Sequence, residues 1–241
     1  MEIKKIIIVG GGSAGWMTAS TLIKAFPKKI ITVIESPDVP VIGVGESTLA
    51  TIKMWTNFLG IEDKDFMPAC DASYKLGIMF TDFYKKGTQF CYPFGKPNTS
   101  GCTSGLNDWW FKKSVYPKTP NSNYAESFYP QMSMINQNKF FNDSDEKISF
   151  NKGTDSSYHF NAVKFGQWLK DNYAIPRGVK YLKEHIHTIK QNNNGIVSLN
   201  NKHKADLYID CTGFKSLLLS ETLKEPFESY SDLLPNDSAW V

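Results

Sequence analysis

Cysteine is scarce in this chain: Cys70, Cys91, Cys102 and Cys211 are the four among 241 residues. No two form a C-x-x-C pair, and none stands at zinc-ligand spacing from one of the four histidines. That pattern argues against a zinc ribbon or a disulfide-stapled scaffold, and no metal site is expected. Reduced thiols and a cytoplasmic location are the expectation. A surplus of one charge is also lacking, since 27 Lys and Arg face 24 Asp and Glu for a net charge of +3. So near a balance offers no electrostatic footprint for nucleic acid or an anionic membrane surface. Nor does any apolar run approach the roughly 18 residues of a membrane helix. Ile6–Val9 is only four residues long before three glycines, too short for the apolar region of a secretory leader. No internal repeat is present.

Apolar and aromatic residues are not scarce. A 41% hydrophobic content with 16 Phe and 6 Trp is enough for a folded core and excludes a disordered chain. The length suits one sizeable domain or two small ones. The most informative stretch is Ile6 to Gly15, which reads Ile-Ile-Ile-Val-Gly-Gly-Gly-Ser-Ala-Gly, with Glu35 twenty residues beyond Gly15. A short β-branched run reads as a buried parallel strand. Gly10 permits the tight turn that leaves it, Gly12 lets backbone approach a pyrophosphate, and Gly15 allows close helix packing. The helix opening at Ser13 and Ala14 turns its free N–H groups and positive dipole end toward the phosphates. A second strand, Ile30–Ile34, ends at Glu35, whose carboxylate is placed to accept the hydroxyls of an adenosine ribose.

Further along, Pro27 stops the first helix, Ser13–Ala25. The glycine-containing loop Val41–Thr48 leads to a helix over Leu49–Leu59, which Ser47 or Thr48 is suited to cap. Asp63–Cys70 reads as helix and residues 72–80 as one strand. Residues 87–157 are the least readable, and Asn136–Asp155 is polar enough for a surface loop. A helix over Asn161–Asn172, with Val163, Phe165, Trp168 and Leu169 sharing a buried face, is broken by Pro176-Arg177-Gly178. Asn192-Asn193-Asn194-Gly195 between Ile186–Lys190 and Ile196–Leu199 is a hairpin signal. Ala205–Asp210 is a late strand that runs into Cys211-Thr212-Gly213-Phe214. Such a strand can return beside the first βαβ unit and bring the Gly213 backbone to the same cofactor. This interrupted arrangement favours FAD over NAD. His159, His187 and Asp210 read as structural, Asp210 as the end of its strand.

These residues resemble the N-terminal half of the flavin-dependent tryptophan halogenases. The matching pieces occur in the family's order: Gly10-Gly11-Gly12-Ser13-Ala14-Gly15-Trp16, Gly43-Val44-Gly45-Glu46-Ser47-Thr48, the segment from Phe66 to Ile78, Tyr158-His159-Phe160-Asn161-Ala162, and Asp206 to Phe214. The Gly-x-Gly-Glu-x-Thr loop and Ala72-Ser73-Tyr74-Lys75-Leu76-Gly77 are the specific ones. The resemblance implies an α/β fold, a Rossmann-like FAD-binding domain with an inserted β-rich region, incomplete at its C-terminus. It implies one domain over 1–241, with 1–85 and 160–241 as nucleotide-binding core and 86–159 as insertion and substrate side. Reduced FAD from a separate flavin reductase would work with oxygen to oxidise a halide ion to hypohalous acid. Lys75 would be the catalytic lysine beside a small aromatic substrate of indole type. It would either hydrogen-bond the hypohalous acid or carry the halogen as a haloamine. A desolvated amine suits both roles. Gly45, Glu46, Ser47 and Thr48 would lie at the flavin and halide site, and the backbone at Ile186 would meet the adenine edge.

The chain departs from the family pattern in two respects. The Trp-x-Trp-x-Ile-Pro signature, which keeps the family from acting as ordinary monooxygenases, has no counterpart; Trp109-Trp110 is adjacent rather than alternating. Asp237-Ser238-Ala239-Trp240-Val241 reads as the start of a strand, so the expectation is a fragment, a truncated product, or one half of a split enzyme missing its C-terminal half. Two other readings compete. One is an FAD-dependent monooxygenase or reductase that uses no halide. The other is a non-catalytic flavin-binding fragment.

Overall fold

The computed structural model describes residues 2–39, 43, 45–98, 105–140 and 150–238. Val41, Ile42, Val44, Cys102, the middle of the expected 136–155 loop and the terminal Ala239-Trp240-Val241 lie outside the described residues. In chain order the elements are β1 (Lys5–Val9), α1 (Ser13–Ala25), β2 (Ile30–Glu35), β3 (Gly45–Ser47), α2 (Thr51–Leu59), α3 (Asp63–Phe66), β4 (Ser73–Lys75) and β5 (Gly77–Thr81). There follow β6 (Gln89–Pro93), α4 (Gly105–Val115), α5 (Asn123–Phe128), α6 (Pro130–Gln137), β7 (Ser157–Asn161), α7 (Ala162–Trp168), β8 (Lys180–Lys183), β9 (Ile189–Asn192), β10 (Gly195–Leu199) and β11 (Leu207–Asp210). They fall into two compact units, one of Met1–Gly45, Asp63–Asp71 and Phe160–Val241, the other of Glu46–Glu62 and Ala72–His159. No helix of the described residues is long and apolar enough to cross a membrane.

The first unit is built on a parallel sheet in the order β11-β1-β2-β8. Parallel strands with helical cover are buried on both faces, so they read as unbroken apolar runs rather than alternations. Accordingly Ile6, Ile7, Ile8, Val9, Ile31, Val33 and Ile34 are all buried. Strand β1 is central because it pairs on one side with β2, at Val9↔Ile34, and on the other with β11, at Val9↔Asp210. The late strand therefore returns beside the first βαβ unit. Helix α1 buries Trp16, Ala19 and Ile23. Across from it, α7 buries Ala162, Phe165 and Gly166, and the π turn that follows, Leu169–Ala174, buries Leu169. That spacing of three, four and seven is a helical face. Phe165 meets Phe66 and Phe160 with ring centroids 5.3 and 4.4 Å apart. Val163 is not part of this face; it is exposed and lies against Gly43, where a Cβ would sit 1.9 Å from its Cγ2.

In the second unit, β3, β7 and β4 form a sheet in that order, and β5 pairs with β6 as an antiparallel hairpin. The single strand expected over 72–80 is thus two strands with different partners. Gly77 marks the change. A Cβ there would lie 2.7 Å from the Tyr92 carbonyl oxygen, so the bare backbone lets β5 close onto β6. The expected strands of the insertion are joined by three helices, α4 to α6. Helix α2 ends at Gly60, which takes the left-handed C-cap conformation at φ 75°. Its Lys53 is buried, with the ammonium 4.1 Å from the Tyr158 ring centre and 5.0 Å from that of Tyr74. The cation–π attraction helps to offset the desolvation of that charge.

Candidate functional site: a glycine cradle and a buried lysine

The pairing of β1 with β2 and β11 brings three turns to one edge of the parallel sheet, at the carboxyl ends of the strands, where open α/β sheets bind ligands. The first turn holds Gly10 at φ 113°, a conformation that favours glycine. Its backbone N–H donates to the Ile34 carbonyl at 2.9 Å. A Cβ on Gly10 would sit 2.2 Å from the Cys211 carbonyl oxygen, and one on Gly15 would sit 2.0 Å from the Gly10 oxygen. The glycines therefore let β1, α1 and the turn after β11 approach more closely than side chains permit. Gly12 is the extended N-cap residue of α1, and no side chain caps that helix. Its first N–H groups are thus available to an anion. Ser13 serves through its backbone, because its hydroxyl donates to the Ala162 carbonyl at 2.9 Å. Ala14 is exposed at the same helix start.

Glu35 closes β2. Its side chain is 22% exposed, yet Oε2 is buried and accepts no hydrogen bond among the described residues; the nearest cation is Lys170 Nζ at 4.0 Å. Burial and a hydrogen bond toward the Glu35 carboxylate push the Tyr181 phenol up to about 12. Lys170 also lies 3.9 Å from the Tyr181 ring centre. A carboxylate with an unpartnered oxygen beside an uncapped helix start suits a ribose diol and its diphosphate. One contributor escaped the sequence reading. Gly11 is required because a Cβ there would lie 2.4 to 2.6 Å from the side-chain carbons of Glu35. The run of three consecutive glycines, with Gly11 in its middle, was the available signal.

The third turn carries Gly213 at φ 65°, where a Cβ would meet open space. Asp210, just before it, does more than end a strand. Its carboxylate accepts from the Thr212 N–H and hydroxyl at 3.0 and 2.6 Å, and from the Leu218 and Leu219 N–H groups at 2.7 and 3.0 Å. Burial pushes this carboxyl up, but those hydrogen bonds outweigh it and hold it below the usual range. A depressed folded value stabilises the fold above the ordinary carboxylate range, and that contribution disappears as pH falls through the depressed value. Asp210→Asn is expected to lower unfolding stability by about 1–3 kcal/mol, and the deficit should shrink in acid. Urea melts at two pH values check this. Ile186, expected to open a strand over Ile186–Lys190, lies instead on the link between β8 and β9, because β9 begins only at Ile189; its side chain packs against the core cluster of Ile7, Val9, Ile34, Leu199 and Leu218. His187 donates its backbone N–H to Asn200 Oδ1 at 2.9 Å.

In the second unit Lys75 is 7% exposed, at the end of β4. Its Nζ donates to the Thr48 carbonyl at 3.0 Å and lies 5.3 Å from the Phe94 ring centre. Burial lowers its pKa below the usual lysine value. His159 is held low by burial and by the Lys75 charge. Thr48 is itself tied into β7, as its N–H donates to the Tyr158 carbonyl at 3.0 Å. Glu46 and Ser47 are exposed on β3, and a Cβ on Gly45 would meet nothing within 4 Å. The described residues contain no group of three His, Cys, Asp or Glu able to hold a metal ion. The three described cysteines, Cys70, Cys91 and Cys211, are free.

Known proteins resemble this chain in sequence and fold. The chain is 34% identical over 261 residues to tryptophan 6-halogenase SttH of Streptomyces toxytricini, covering 98% of this chain and 49% of SttH. Tryptophan 7-halogenase RebH of Lentzea aerocolonigenes is 31% identical, over 99% of this chain and 48% of RebH. Among solved structures, VirX1 in its apo form matches with a TM-score of 0.89 at 40% identity, covering 98% of this chain and 47% of VirX1. BrvH, a flavin-dependent halogenase from Brevundimonas sp. BAL3, matches with a TM-score of 0.81 at 30% identity, covering 97% of this chain and 47% of BrvH. The chain thus spans about half the length of the curated relatives it matches. The family profile named tryptophan halogenase runs through residues 5–241. From Lys5 onward, this chain belongs to the tryptophan halogenase family.

Proposed function

We propose that this chain is the flavin-binding, lysine-bearing part of a flavin-dependent halogenase that acts on an indole-type or other small aromatic substrate. The observation that carries the reading is the buried Lys75 amine, held on a backbone carbonyl within a segment matching the family. The glycine cradle and the unpartnered Glu35 oxygen fit FAD. Gly10, Gly12, Ser13, Ala14 and Gly15 would receive the pyrophosphate through backbone, and Glu35 the ribose. Gly213 and the Ile186 backbone would flank the nucleotide, with Gly45, Glu46, Ser47 and Thr48 on the flavin and halide side. Residues 1–85 and 160–241 form the nucleotide-binding core of this functional domain, and 86–159 its substrate side.

Reduced FAD, delivered by a separate flavin reductase, supplies with oxygen the oxidising power that converts halide to hypohalous acid. Lys75 acts on that small oxidant. Its amine either donates a hydrogen bond that directs the electrophilic halogen, or takes the halogen onto nitrogen with loss of water and passes it to the ring. Both routes are served by burial, which favours the neutral amine. The chain spans about half the length of its curated relatives, and the activity proposed is that of the family's full length. A cytoplasmic setting provides the NADH that a flavin reductase consumes.

A second reading is an FAD-dependent monooxygenase without halide use. One experiment separates the two. The protein is mixed with FAD, a flavin reductase, NADH, oxygen, bromide and indole substrates, together with a C-terminal half taken from a relative. Products are read by mass spectrometry. Halogenation predicts bromide-dependent products with the bromine isotope doublet. Oxygenated products that form equally without bromide would overturn it in favour of the second reading.

A further inference from the structure

We propose that Thr48 and Ser157 are positioning residues that fix the Lys75 amine, an inference that rests on the role given to Lys75 above. Lys75 and Ser157 are direct cross-strand partners in the antiparallel β4–β7 ladder, so their side chains leave the same face of that sheet. The amine donates to the Thr48 carbonyl at 3.0 Å, which makes the position of the amine depend on the position of Thr48. Thr48 is held by its own side chain. Its hydroxyl donates to the Tyr158 carbonyl at 3.0 Å and accepts from the Tyr158 N–H at 3.1 Å. It also shares a 2.5 Å contact with the Ser157 hydroxyl.

A hydroxyl has one proton to give and two lone pairs to receive. With the Thr48 proton committed to Tyr158, Ser157 must supply the proton of the short contact. The Thr48 hydroxyl is then saturated, one bond donated and two accepted, so it has nothing left to offer a cofactor. Ser157 is fully buried, and Tyr158 is 1% exposed under the Lys53 ammonium. The anchor strand therefore has little freedom to move. Thr48, introduced above on the flavin and halide side, is here assigned to holding the lysine. The consequence is chemical. A buried amine kept at one carbonyl is oriented toward its reaction partner, whereas the same amine without that acceptor gains by swinging out to water.

The test reads the amine directly, with no need of turnover. The protein and its Thr48→Val, Thr48→Ser and Ser157→Ala variants are labelled competitively with acetic anhydride across a pH series. Peptide mass spectrometry gives the titration midpoint of Lys75 against surface Lys28 and Lys86 in the same sample. The facing titratable group, His159, is followed by NMR. In the parent, Lys75 should titrate below the reference lysines. Thr48→Val should move its midpoint up toward theirs and let the His159 midpoint rise as the neighbouring charge departs. Ser157→Ala should do so in part, and Thr48→Ser should restore the parent values. A role in stability alone predicts lower melting temperatures with the Lys75 and His159 midpoints unmoved, and that result overturns the proposal. Lys75 titrating with the surface lysines in the parent would instead defeat the buried-amine reading itself, and the proposal with it.

Discussion

On the role proposed for Lys75, Lys75→Met should abolish halogenation in the complemented assay, with a loss of at least about 10²–10⁴-fold, the range seen when a positioned proton-transfer group is removed. The loss is expected to be larger if the amine carries the halogen covalently, because then no intermediate forms. Methionine is unbranched and of similar length, so it refills the volume beside Phe94. It leaves the Thr48 carbonyl without a donor, a deficit of about 1 kcal/mol. Flavin binding and melting temperature should therefore change little, which separates lost chemistry from lost fold. The proposed reaction also has a predictable pH response. Because burial lowers the Lys75 pKa, its ammonium is disfavoured in the folded protein. Halogenation that uses the neutral amine rises with pH through the lowered value and levels off before the ordinary lysine value of 10.5. The fold bears the penalty of the buried charge at low pH and is relieved of it as pH rises through that window. Rates measured with preformed reduced FAD against pH check the first point, and unfolding measured across the same pH range checks the second.

Gly15→Ala is expected to damage the first unit more than any surface change. The added Cβ would lie 2.0 Å from the Gly10 carbonyl oxygen. The obstacle is backbone, and Cβ has no rotamer that avoids it. Either α1 retreats from β1, or the Gly10 turn opens and moves against Cys211. Overpacking of this kind typically costs about 1–3 kcal/mol, and a backbone collision sits at the upper end or above it. FAD binding should fall further than stability, since the displaced helix start is the one proposed to receive the pyrophosphate. Gly45→Ala is the internal contrast. Nothing lies within 4 Å of that added carbon, so stability should remain within about 0.5 kcal/mol of the parent. Thermal melts of the two variants side by side measure the difference.

The parts of the fold legible from sequence are those whose causes are local. Ile6–Val9, the glycines that follow and Glu35 lie within one βαβ unit. Each announces itself by run, turn or spacing, and β1, α1 and β2 stand where they were expected. The late strand was legible because Leu207–Asp210 is an apolar run leading into a small-residue turn. What was not legible depends on distant partners. The 72–80 run divides because Gly77 is shaped to meet Tyr92, a fact of the partner strand. Helix α4 has no apolar stripe to read, since Leu106, Trp110, Phe111 and Val115 are all more than half exposed and Trp109 is buried. The hold on Lys75 joins Thr48 to Ser157 across 109 residues, a relation no spacing rule reaches. Gly11 shows the middle case. The spacing rule placed Glu35 at the strand end, but only the folded turn reveals that its side chain lies over the second glycine.

The account rests on this chain carrying its own flavin cradle, and calorimetric titration with FAD tests that on the chain by itself. It predicts one FAD per chain, with affinity falling about 10- to 100-fold in Glu35→Ala as the ribose hydroxyls lose a charged acceptor. No binding by the parent, or equal binding by parent and Glu35→Ala, would contradict it.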